Sequence, residues 1–95
     1  MDWHPKDDNL TLVAEYRDSE CYEWYITALW HDPEVDRYYL YEGAGCSCNE
    51  PYESLNGLAD LTEVYGLPDL MSKVNLSPRD KTWFIAAYFD YKSRV

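Results

Sequence analysis

Apolar and polar positions alternate through the first half of the chain and change period in the second. Leu10, Leu12, Ala14 and Tyr16 fall on one side of a period-two pattern, with Thr11, Val13, Glu15 and Arg17 on the other. That period predicts a strand over residues 10–17. Asp18-Ser19-Glu20-Cys21 is a polar break suited to a hairpin. Alternation resumes over 22–31, with Tyr22, Trp24, Ile26, Ala28 and Trp30 opposite Glu23, Tyr25, Thr27, Leu29 and His31. Asp32-Pro33-Glu34 opens a second turn, since proline presets φ. Residues 37–42, Arg-Tyr-Tyr-Leu-Tyr-Glu, are rich in β-formers and predict a third strand. Two short connections in succession imply an antiparallel meander.

Gly43-Ala44-Gly45-Cys46-Ser47-Cys48-Asn49-Glu50-Pro51 reads as a Gly/Cys loop leaving the sheet. After it the spacing becomes helical. Leu55, Leu58, Leu61, Thr62 and Tyr65 recur at three to four residues, and Gly66 stands where a left-handed C-terminal cap belongs. Pro68–Val74 predicts a short second helix. Ser77 caps a third, with Pro78 at its first position, Asp80 completing a variant capping box, and Phe84, Ala87, Tyr88 and Tyr91 as its apolar stripe. The expectation is an α+β single domain over 1–95, ordered β-β-β-α-α-α: a sheet in 10–43, the loop in 44–54, and helices in 55–94 packed on one sheet face.

Charge narrows the function classes. The formal net charge is −10, and residues 1–60 hold 14 acidic against 3 basic side chains. Phosphate-neutralising nucleic-acid binding and attachment to an anionic membrane are disfavoured by that sign. A basic protein partner fits it. Met1–Asp8 has neither a basic start nor an apolar stretch, so export is not expected. The odd cysteine count supports reduced thiols at Cys21, Cys46 and Cys48 and a cytoplasmic location.

Little else carries chemistry. The meander places Cys21 at the same end of the sheet as Cys46 and Cys48, which makes the three weak zinc candidates. The C-x-C spacing is not that of a zinc knuckle, and no cofactor or metal is expected. His31-Asp32 has no nucleophile or oxyanion loop in sequence, so no catalytic residue is expected. With the even-numbered positions against the helices, the opposite face would expose Tyr25, Leu29, Tyr39 and Tyr41, flanked by Glu15 and Glu23. Aromatic side chains inside a charged rim resemble a protein-binding patch, or a homodimer seam.

The runs Trp3-His4-Pro5-Lys6, Asn9–Tyr16, Ala28–Pro33, Arg37–Asn49 and Leu67–Leu70 resemble small uncharacterised proteins of actinobacteriophages, mycobacteriophages especially. The resemblance covers about residues 3–70. It implies the cytoplasm of a bacterial host and carries no catalytic residues with it. The expected function is a non-enzymatic phage protein that binds, and modulates, a host protein with a basic surface. The alternative is a small metal- or thiol-organised domain built on Cys21, Cys46 and Cys48, and a third reading is an acidic DNA mimic.

Overall fold

The computed structural model describes residues 3–20, 22–46 and 50–94. Four antiparallel strands, β1 (Thr11–Glu20), β2 (Glu23–Asp32), β3 (Arg37–Cys46) and β4 (Thr62–Val64), form one sheet in the order β1-β2-β3-β4. Two helices follow, α1 (Leu67–Lys73) and α2 (Pro78–Arg94). Among the described residues no helix is long and apolar enough to cross a membrane. The α+β class and the meander agree with the sequence. The strand and helix counts do not, since three of each were expected.

The difference lies in residues 55–65. Their leucines have helical spacing, but Asn56-Gly57 interrupts the segment, and Gly57 is fully extended at φ 171°. The chain instead crosses the sheet in irregular backbone with a short 3₁₀ turn at Leu58–Asp60, seating Leu55 and Leu61 in the core and Leu58 against it. It then adds β4 beside Tyr38–Leu40. Gly66 therefore caps no preceding helix. At φ 128° it sits immediately before α1, a conformation that favours glycine.

The expected Gly/Cys loop is also shorter, because β3 continues through Cys46. Gly43 and Gly45 are strand positions over which aromatic rings lie. A Cβ on Gly43 would fall 2.0 Å from the Tyr41 Oη, and one on Gly45 would fall 2.6 Å from the Trp24 ring. The glycines permit close approach rather than a turn.

Register decides which side chains share a face. Leu29 pairs with Leu40, Ala28 with Tyr41, and Trp30 with Tyr39. Odd positions of β2 therefore lie beside even positions of β3. In β1 a bulge intervenes: Leu12 pairs with Trp30 but Ala14 with Leu29, so Val13 is extra and the alternation reverses. Both faces are covered, not one. The helices bury Ala14, Leu29, Tyr38, Leu40, Val64, Phe84 and Tyr88 on one side. On the other, residues 50–61 and the N-terminal segment bury Ile26, Ala28, Trp30, Tyr39 and Tyr41 with Tyr52 and Leu55. The C-terminal helix forms as its sequence predicts: the Asp80 N–H points at the Ser77 Oγ, 3.4 Å away, and the Ser77 hydroxyl donates to Asp80 at 2.8 Å.

Candidate functional site

The six residues expected to share one exposed sheet face are dispersed. Leu29 is fully buried under the helices. Tyr39 and Tyr41 are buried on the opposite face. The Tyr41 Oη accepts from the Tyr52 N–H at 3.1 Å, and the two rings pack 4.4 Å apart. Glu15 is half-buried beneath the Tyr52 hydroxyl, which donates to it at 3.0 Å, while Arg17 Nε donates at 2.7 Å. Burial would raise the Glu15 carboxyl, but these two hydrogen bonds outweigh it and hold it below the ordinary carboxylate range. The register reversal, invisible in either strand alone, dismantles the expected patch.

Tyr25 and Glu23 remain accessible, and they mark a different site. The helices cover only part of their sheet face. Beyond them Asp18, Tyr25 and Ala44 lie side by side across β1, β2 and β3, with Glu23 opposite Cys46 one step further. Asp18, Glu23 and Ala44 are exposed and Tyr25 half-buried. The Tyr25 hydroxyl points toward the Glu42 carboxylate at 3.4 Å. An open groove of about 480 Å³ runs here, lined by Asp18, Glu23, Trp24, Tyr25, Ala44, Gly45 and Cys46.

β4 pairs only with Tyr38–Leu40, so among the described residues β3 has no strand partner on that side from Tyr41 to Gly45. A second groove of about 350 Å³ follows this stretch, lined by Trp24, Tyr41, Glu42, Gly43, Ala44, Glu50, Glu53 and Ser54. The Trp24 ring belongs to both grooves, held by an Nε1–H bond to the Cys46 carbonyl at 3.1 Å. Five carboxylates line the pair of grooves, and no Lys or Arg does. An unpaired strand presents backbone donors and acceptors. Here they lie in a field that attracts cations.

The cysteines do not form the expected set of thiols. Cys46 is disulfide-bonded. The chain has only two other cysteines, Cys21 and Cys48, and both lie outside the described residues. A disulfide sulfur is not the thiolate that zinc requires, so Cys46 is removed from the candidate ligands. Among the described residues no group of three or more His, Cys, Asp or Glu could hold a metal ion.

His31 has partners the sequence did not indicate. Its Nε2 lies 2.8 Å from Asp36 and its Nδ1 lies 2.7 Å from the Tyr91 hydroxyl, with the ring stacked on Tyr38. A carboxylate only accepts, so in the neutral ring Nε2–H donates to Asp36 and Nδ1 accepts from Tyr91. Asp32, its neighbour in sequence, instead accepts from the Glu34 N–H. The arrangement resembles an acid–base relay, but the adjacent cavity is lined by Asp36, Tyr38 and Tyr88 and not by His31 or Tyr91. The buried ring ties the β2–β3 turn to the end of α2.

No curated protein and no solved structure matches the chain. A family model does match, over residues 2–94, and the chain belongs to that family, a domain of unknown function (DUF7574).

Proposed function

We propose that the chain is a non-enzymatic protein-binding module that takes an extended, basic segment of a partner along the open end of β3. The observation that carries this reading is the stretch 41–45 of β3, which has no strand neighbour beyond it among the described residues and runs between two acid-lined grooves. Addition of a strand to a sheet edge supplies main-chain hydrogen bonds, and flanking pockets select side chains. Lysine or arginine side chains on alternate positions would reach toward Glu23, Tyr25 and Glu42 on one face and Glu50 and Glu53 on the other. Each rim ion pair contributes only about 0.2–1 kcal/mol, so the acids act chiefly on encounter rate and on partner choice. Tyr25 and Trp24 add aromatic faces on which a cation can rest.

The resemblance to actinobacteriophage proteins makes the partner a host protein in the bacterial cytoplasm. Against that location, a disulfide at Cys46 suits oxidising surroundings. Alkylation of intact cells, followed by mass spectrometry of the cysteine peptides, reads which state occurs there. The reading is tested by affinity capture from host lysate with the parent chain and with Tyr25→Ala combined with Glu42→Gln. The parent should retain a partner that the variant loses and that added salt weakens. Capture of the same partner by both at equal strength would reject the site.

A further inference from the structure

The outer face of α2 carries two large aromatic side chains that no element among the described residues covers. Phe84 and Tyr88 are buried toward the sheet. On the far side Trp83 is 53% exposed and Phe89 50% exposed. An amphipathic surface helix keeps its large apolar groups on the core side, so two half-exposed aromatic rings on the outer arc signal a second contact. At 100° per residue, Ala86 lies at the centre of the exposed arc. Trp83 falls about 60° to one side of it and Phe89 about 60° to the other, each about 4.5 Å away along the axis. Thr82, Ser93, Arg79 and Asp90 occupy the rest of that arc, and all are exposed.

This pattern is self-complementary under a two-fold axis. We propose that α2 pairs antiparallel with α2 of a second copy, crossing at Ala86. The small side chain lets the helices approach. Residues equally spaced about Ala86 then face one another, so Trp83 of each protomer lies across the seam from Phe89 of the other. Phe89 rests on the partner helix near its Thr82, and Arg79 approaches its Asp90, a carboxylate that Arg94 of the same helix also meets. Residues 78–94 carry four basic and two acidic side chains, so the seam avoids the acid-rich first sixty residues. With the sheet on the inner side of each α2, the acidic grooves remain on the outside of the pair, independent of the strand-edge site. An isologous contact of this kind closes as a dimer and does not propagate.

A seam made by one helix is at the small end of specific interfaces, so the dimer should assemble near about 100 µM protein rather than at nanomolar concentration. Sedimentation equilibrium over a range of concentrations should show the mass rising from 11.2 kDa toward twice that value. Ala86→Arg should hold the chain at the monomer mass with an unchanged far-ultraviolet spectrum, because the position is exposed. Arg79→Asp alone should weaken association several-fold, and adding Asp90→Arg should restore it, which only the antiparallel register predicts. A parent chain that remains monomeric at millimolar concentration would overturn the proposal. So would a dimer indifferent to Ala86→Arg, which would place the contact on another face.

Discussion

Gly43→Ala should destabilise the protein markedly, although the residue occupies ordinary extended strand backbone. Alanine suits that backbone, so conformation alone would make the change stabilising by about 0.4–1 kcal/mol. The obstacle is the Tyr41 ring. A Cβ would stand 2.0 Å from its Oη and 2.4 Å from its Cζ. The ring cannot yield cheaply, because it is buried, packed against Tyr52, and accepts the Tyr52 N–H. Displacing it leaves that N–H unpaired, at about 1–3 kcal/mol, and disrupts an aromatic pair worth about 0.5–1.5 kcal/mol. The net loss is about 2–3 kcal/mol, which lowers Tm by about 10–20 °C in a domain of this size. Thermal denaturation followed by circular dichroism measures it. In a Tyr41→Leu background the same substitution should cost almost nothing, since its obstacle is gone. Gly57→Ala serves as the comparison, with no atom within 4 Å of the new Cβ and φ at 171°. A Gly43→Ala protein melting within about 2 °C of the parent would refute the packing argument.

Burial, with the neighbouring Tyr88, Asp36 and Tyr91, pushes the Tyr38 hydroxyl up to about 12. A raised folded value means that stability is complete below the ordinary value near 10 and is lost as pH rises toward 12. Tyr38→Phe should abolish that alkaline loss and leave neutral stability equal or higher, because the hydroxyl is buried with no hydrogen-bond partner among the described residues. Glu15 works in the opposite sense. Its lowered value means that its contribution is present above the ordinary carboxylate range and is lost as pH falls through it, so Glu15→Gln should flatten the acid limb of a Tm-against-pH curve. Reduction by dithiothreitol should lower Tm. A bridge from Cys46 to Cys21 closes a loop of about two dozen residues and contributes about 3 kcal/mol, whereas one to Cys48 contributes little. Non-reducing peptide mapping identifies which of the two the bridge joins.

The features legible in the sequence were local ones. Two of the long strands followed from period-two alternation, the third from its run of β-formers, and α2 from Ser77, Pro78 and its apolar stripe. What failed depended on relations between segments. Whether Leu29 shares a face with Leu40 or with Tyr39 is set by the turn at residues 33–36 and the bulge at Val13, and a one-residue change reverses every assignment. The leucines at 55, 58 and 61 satisfy a helical period equally well when each is dropped singly onto a sheet from a crossing loop. The acidic character of residues 1–60 was plain, but its concentration around the stretch of β3 that β4 leaves uncovered was not, because that requires knowing where β4 stops. Gly43 and Gly45 look like turn residues until the Tyr41 and Trp24 rings are seen to lie across them.

The central claim is that the open end of β3 binds an extended cationic segment, and fluorescence anisotropy with labelled oligolysine and oligoglutamate peptides tests it most directly. The account predicts saturable binding of oligolysine, weakened by salt and lost in Tyr25→Ala combined with Glu42→Gln, with no binding of oligoglutamate. Cationic-peptide binding that is absent, or that is undiminished in the variant while circular dichroism shows an intact fold, would contradict it.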